Sequence, residues 1–277
     1  MSRILSRVYT GLILLFLYAP IAIMVLFSFN KGKSLSVFSG FSLDWYRELF
    51  GRAEVMEALK NTLILALLSS LIATVIGTAA AVGISKMKNR YLKTGMMSVS
   101  NIPMMNPDIV TGISLALLFT FVMAFLGLKS VFGFWTVLIA HVTFNIPYVL
   151  LSVLPKIRQM DKSLPEAALD LGCTPLQSFF RVELPAILPG ILSGFIMALT
   201  LSLDDFVISY FNAEDFQTLP IVIYGMTKRT VTPDMYALST LIFGSVLLLL
   251  VLSNVLSARS ESRQAGKKTA KKGRAAR

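Results

Sequence analysis

The amino-acid sequence predicts an all-α membrane protein with six transmembrane helices and both termini in the cytoplasm. Three observations lead there. Of the 277 residues, 55% are hydrophobic and only 15% charged, against about 45–50% and 25% in soluble proteins. The apolar residues gather into six runs of about the 20 or more residues that a bilayer core demands, because in hydrocarbon every backbone polar group must be bonded within the segment. Lys and Arg divide unevenly between the two sets of connecting segments, 18 against 8, and the richer side is cytoplasmic. One Cys and one His leave neither a disulfide framework nor a cluster with zinc-ligand spacing.

In chain order the runs are residues 8–29, 61–85, 94–125, 131–154, 186–211 and 236–258. The first begins with Arg3 and Arg7 like a signal peptide, but its apolar run is too long and no small-residue cleavage site follows, so it is expected to remain a membrane helix. The third is overlong and contains Pro103 and Pro107, which predicts a break or kink. Outside, residues 30–60 form a loop with Phe41-Ser42-Leu43-Asp44-Trp45-Tyr46 and then a short amphipathic helix; a second outer loop covers 212–235. Residues 1–258 thus make one six-span domain. Residues 259–277 are a basic tail, expected to be disordered, to help fix topology and to touch anionic lipid. Topology accounts for the net charge of +11, so no nucleic-acid partner is expected. No internal repeat is visible, which argues against an inverted-repeat secondary transporter. Gly32-Lys33-Ser34 is not a Walker A motif, since Phe27 stands where its first Gly belongs.

The cytoplasmic loop 155–185 carries dense helix punctuation. Ser163-Leu164-Pro165-Glu166 fits a capping box with Pro165 in the first turn, and Gly172 sits where that helix should stop. Thr174-Pro175-Leu176-Gln177 repeats the signature, which predicts a second short helix from Pro175 until Leu184-Pro185 ends it. Glu166 and Asp170 share a face at i,i+4 spacing.

The set Glu166-Ala167-Ala168, then Gly172, then Val182-Glu183-Leu184-Pro185 resembles the EAA loop of ABC importer permeases, whose pattern is EAA-x3-G-x9-I-x-LP; Val182 stands in place of Ile. Likeness extends over nearly the whole chain. Leu17-Tyr18-Ala19-Pro20, Phe27-Ser28-Phe29-Asn30, Asn106-Pro107-Asp108-Ile109-Val110-Thr111-Gly112, Ala140-His141-Val142-Thr143-Phe144 and Leu201-Ser202-Leu203-Asp204-Asp205 are similar to the spermidine/putrescine (PotC) branch of these permeases. The resemblance implies a MetI-like fold in the bacterial cytoplasmic membrane. It also implies a PotB-like second permease subunit, a PotA-like ATPase dimer that holds the ATP and magnesium, and a PotD-like substrate-binding protein. On this chain it implies no bond chemistry and no bound cofactor. Glu166, Ala167, Ala168, Asp170, Gly172, Leu184 and Pro185 would then form the ATPase-coupling loop. An importer permease for another ligand, such as thiamine or an iron complex, is the alternative.

Independently, the six runs contain no Lys or Arg but three Asp: Asp108, Asp204 and Asp205. A carboxylate costs several kcal/mol in hydrocarbon and so must face a cavity or find partners. Negative charge suits an organic cation with several ammonium groups, to which aromatic walls add about 0.5–2 kcal/mol each. On a continuous helix Ser202, Asp205, Ser209 and Asn212 form one polar stripe, which aims Asp205 at the pathway and leaves Asp204 at its edge or at the partner interface. Hydrogen bonding between helices is the competing role for all three. Trp45 receives substrate at the outer mouth or anchors the interface; Tyr18, Tyr148 and Tyr210 line the path or pack helices; His141 is proton-sensitive or simply hydrogen-bonded. An intramembrane aspartyl protease needs paired Tyr-Asp and Gly-x-Gly-Asp signatures, and neither occurs.

Overall fold

The computed structural model describes residues 3–34, 37–127, 132–161, 163–228, 232–248 and 250–251. The tail 259–277, the end of the sixth run, Lys129, Lys162 and Arg229 lie outside them. The described chain is helical almost throughout: α1 (Arg3–Ser28), α2 (Asp44–Gly51), α3 (Ala53–Lys86), α4 (Arg90–Met105), α5 (Asp108–Phe125), α6 (Phe134–Gln159), α7 (Ser163–Asp170), α8 (Pro175–Ser178), α9 (Leu184–Asp204), α10 (Val207–Asn212) and α11 (Leu219–Thr227), then α12 (Pro233–Leu248). Among the described residues five segments are long and apolar enough to cross a membrane: Leu5–Ser28, Ala53–Lys86, Asp108–Phe125, Phe134–Gln159 and Pro175–Asp204. The sixth run is represented by the shorter α12.

Two runs are divided, the third at the break its prolines predict and the fifth where a continuous helix was expected. In the third, Pro107 lacks an N–H and forces Asn106 into extended backbone at ψ 140°, so α4 ends and α5 restarts with Asp108 in its first turn. Pro103 stays inside α4. In the fifth, the continuous helix expected over 186–211 breaks at Asp205, whose ψ is 120°. Asp205 then caps α10, accepting from the N–H of Ile208 at 3.3 Å and of Ser209 at 2.8 Å. A carboxylate satisfying orphan donors at a helix start is favourable by about 0.5–2 kcal/mol.

The helix-turn-helix knob over residues 155–185 keeps most of its predicted punctuation. Gly172 has φ +85°, and it closes α7 with N–H bonds from Gly172 to Leu169 O (2.9 Å) and from Cys173 to Ala168 O (3.1 Å), a Schellman ending. Thr174 and Gln177 form the predicted reciprocal box. Two expectations need correction. Ser163 directs both its N–H and its Oγ to Asp161 Oδ1 (3.1 and 2.9 Å), so the upstream carboxylate caps α7 in place of the Ser163–Glu166 box. The second helix does not stop at Leu184-Pro185: it widens into a π-helical turn over Phe179–Glu183 and continues as α9. Leu184 N–H reaches back to Phe179 O, and this wider register relieves the clash that Pro185 would otherwise make one turn earlier.

The chain forms two compact units. In the first, Met1–Lys60 with Thr218–Leu247, the core is Leu49, Val55, Ala58, Leu219, Val222 and Leu238. Arg52 pairs there with the fully buried Asp234 at 2.6 Å. Buried Asn30 organises the loop after α1, donating to Ser34 O and Val37 O and accepting from Ser39 N–H.

In the second unit, Asn61–Gln217 with Leu248–Arg277, α3, α6 and α9 bury Ala73, Ala81, Ile84, Val149, Leu150, Val153, Leu154, Ile187 and Ala198. Gly190 and Gly194, four residues apart, let α9 touch the α6 backbone: a Cβ at Gly190 would lie 3.0 Å from Ser152 O, and one at Gly194 3.2 Å from Val149 Cα. Close approach through small residues is how membrane helices gain packing energy without a hydrophobic driving force. Gly194→Leu is therefore expected to overpack this seam by about 1–3 kcal/mol. Reduced membrane abundance and heat resistance of the purified protein check it; unchanged values would show that the seam is loose.

Candidate functional site

Both helix breaks deliver acidic residues to one place. A cavity of about 280 Å³ in the second unit is lined by Asp108, Phe144, Tyr148, Leu201, Asp204, Asp205, Phe206 and Val207. Asp108 comes from the restart after Pro107, and the Asp204–Val207 stretch from the α9–α10 break. Phe144 and Tyr148, one turn apart on α6, meet edge to face at 6.5 Å. No basic side chain is among these lining residues. Asp108 and Asp204 are exposed, whereas only 8% of the Asp205 side chain is. Three carboxylates around a small space with aromatic walls repel anions and attract an extended organic cation.

The polar stripe predicted on the fifth run is present but is occupied by the protein itself. His141 of α6, fully buried, places Nδ1 2.6 Å from Ser202 Oγ and Nε2 2.9 Å from Ser209 Oγ and 3.2 Å from Asp205 Oδ2. Ser202 in turn meets Ser69 of α3 at 2.9 Å, and Asn212 donates to Gly112 O at 3.2 Å. Ser202 thus belongs to a seam between helices and is not part of the cavity lining. The ranking of Asp205 above Asp204 rested on a continuous helix. Once the chain breaks at Asp205, Asp204 opens onto the cavity and Asp205 turns inward to His141 and Ser209.

Of the aromatic candidates, Tyr148 lines the cavity. Tyr210 meets Phe206 at a tilt (5.2 Å) and Phe211 edge to face (5.6 Å) and is half exposed. Tyr18 is on the exposed surface of α1. Trp45, in the first unit, donates its indole N–H to Asn30 O at 2.7 Å, so its polar edge is engaged within the loop.

On the knob formed by residues 155–185, Glu166, Ala167, Asp170, Gly172 and Pro185 are exposed, Leu184 is half-buried and Ala168 is buried. Leu169, Leu171, Leu176 and Phe180 add exposed apolar surface. One contact has no sequence signal beyond opposite charges 97 residues apart: Lys86, at the end of α3, pairs with buried Glu183 at 2.9 Å and sits 5.8 Å above the Phe179 ring. It braces the π turn against α3.

Comparison with known proteins agrees with this architecture. Residues 73–265 match the family described as binding-protein-dependent transport system inner membrane component. The putrescine transport system permease protein PotI of Escherichia coli (strain K12) is 38% identical over 250 residues, 90% of this chain and 89% of that one. The spermidine/putrescine transport system permease protein PotC of Haemophilus influenzae is 35% identical over 265 residues, 94% and 99% of the two chains. A solved bacterial ABC transporter that imports the acidic polysaccharide alginate superposes with a TM-score of 0.69 at 19% identity, over 92% of this chain and 95% of that one. The methionine transporter MetNI gives 0.59 at 18% identity, over 79% and 99%. These two establish the shared fold.

Proposed function

Because the chain belongs to the family of binding-protein-dependent transport system inner membrane components, we propose that it is the permease half of an ATP-driven importer of polyamines such as spermidine and putrescine. In this proposal it spans the bacterial inner membrane six times with both termini inside. It pairs with a PotB-like permease, docks a PotA-like ATPase dimer through residues 155–185 and receives cargo from a PotD-like binding protein. ATP and magnesium stay on the ATPase; this chain contributes a path and a lever.

The observation that carries the cargo assignment is the cavity with Asp108, Asp204 and Asp205 beside Phe144 and Tyr148. A flexible chain of methylenes carrying ammonium groups matches separated carboxylates with apolar walls between them. The site should bind weakly, since a carrier must release what it takes. The names of the relatives support the same class of cargo. The assembled complex in vesicles, offered labelled putrescine, spermidine, thiamine and a ferric complex, is expected to accumulate the first two only. Preferential uptake of either of the others would replace the assignment.

The topology is tested separately. With 18 basic residues on one side and 8 on the other, single cysteines at Ser39 and Phe216 are expected to react with an impermeant reagent in intact cells, and one at Gln159 only after permeabilisation. Labelling of Gln159→Cys in intact cells would invert the orientation.

A further inference from the structure

Helices α7 and α8 are tied into one body. The ending at Gly172, the reciprocal bonds of Thr174 and Gln177 and the bond from buried Ser178 Oγ to Pro165 O at 3.4 Å hold them together. Their exit into α9 is the π turn over Phe179–Glu183, where the helical ladder changes register twice within five residues. Such turns are rare, occur mostly at functional sites and are places where helices bend. A load placed on α7 therefore meets a joint before it reaches α9. Glu183, the last residue of that joint, is buried, with only 10% of its side chain exposed. A buried carboxylate is costly without a partner, and Lys86 Nζ supplies one at 2.9 Å. The same ammonium lies 5.8 Å above the ring of Phe179, at the other end of the joint, so one group grips both ends of the turn. Lys86 closes α3, a helix of 34 residues. The end of α3 is itself held by Lys93 Nζ, which donates to Ser85 O at 3.2 Å, and its Ile84 shares a core with Ile187 of α9.

We propose that Lys86 and Glu183 are positioning residues for coupling: their ion pair stiffens the π turn, so that displacement of the knob is passed to α9 instead of being absorbed by bending at Phe179–Glu183. The proposal rests on the reading of the knob as the ATPase dock. The exposed face of Glu166, Ala167 and Asp170 receives the push, and the pair sets how much of it travels on. α9 runs 21 residues from the joint to Asp204, which lines the cavity. Without the pair the ATPase still docks, but the cavity no longer follows it.

Coupling and local opening test it together. Lys86→Met leaves Glu183 buried and unpaired and is expected to reduce membrane abundance; Lys86→Met combined with Glu183→Gln removes both charges and should restore it. At matched abundance in the assembled complex, the double variant is expected to take up several-fold less labelled putrescine per ATP hydrolysed than wild type, with the ATPase still bound. Lys86→Arg keeps both the charge pair and the contact with Phe179 and should couple like wild type. In the purified chain without ATPase, the amides of residues 179–184 are expected to exchange several-fold faster in the double variant and at the wild-type rate in Lys86→Arg. Wild-type uptake per ATP in the double variant, or unchanged exchange over 179–184, would overturn the proposal. A wild-type chain that binds no ATPase would remove the docking reading instead; the exchange measurement needs neither ATPase nor cargo and decides the brace in either case.

Discussion

Gly172→Val is expected to abolish most transport-linked ATP hydrolysis while the chain still inserts in the membrane. At φ +85° a β-branched residue is strained by at least about 1–2 kcal/mol. Nothing lies within 4 Å of the position a Cβ would take, so the penalty is conformational and not a clash with a neighbour. Relief requires rotating the backbone out of the left-handed region, which breaks the bonds from Gly172 to Leu169 and from Cys173 to Ala168. The Thr174 box then swings away from α7, and the exposed face formed by Glu166, Ala167 and Asp170 loses its fixed relation to α8. Gly172→Asn, which tolerates this region better, should retain more activity. Glu166→Lys keeps the fold and reverses the charge on the proposed docking face, so it should weaken ATPase association alone. Normal coupling in both Gly172→Val and Glu166→Lys would show that the knob is not the ATPase dock.

Asp108→Asn and Asp204→Asn should each cut polyamine uptake at limiting substrate by about ten- to 150-fold. A charge-assisted contact is worth roughly 1.5–3 kcal/mol net, and about 1.4 kcal/mol is a factor of ten. Neither residue holds the fold in the way Asp205 does, so ATPase assembly and membrane abundance should stay near wild type. Uptake of labelled putrescine and spermidine at matched abundance is the readout. Unchanged uptake in both variants would detach the cargo from the cavity.

What could be read from the sequence followed a physical divide. Local signals were sufficient where a residue acts on its own neighbours: Pro107 broke its helix, Gly172 closed α7, and Thr174 with Gln177 opened α8. Periodicity identified Ser202, Asp205 and Ser209 as one polar face. It could not say whether that face meets the cavity or another helix, because His141 lies 61 residues before Ser202 and only folding brings them within bonding distance. The break at Asp205 was also hidden, since Leu-Asp-Asp-Phe-Val holds neither Pro nor Gly; the cap that Asp205 makes on α10 favours it. Lys86 and Glu183 were invisible for the same reason as His141, two distant charges whose pairing depends on how α3 packs.

The most direct test of the account is the charge inside the cavity itself. Leu201 lines it, and Cys173 is the only native thiol, so Leu201→Cys in a Cys173→Ser background reports on that space alone. In the assembled complex a cationic methanethiosulfonate reagent is expected to react roughly tenfold faster than an anionic one of equal size. Spermidine should slow the reaction, and replacing Asp108 and Asp204 together by Asn should erase both differences. An anionic reagent reacting as fast as the cationic one, with no protection by spermidine, would contradict a cation-selecting cavity on this chain.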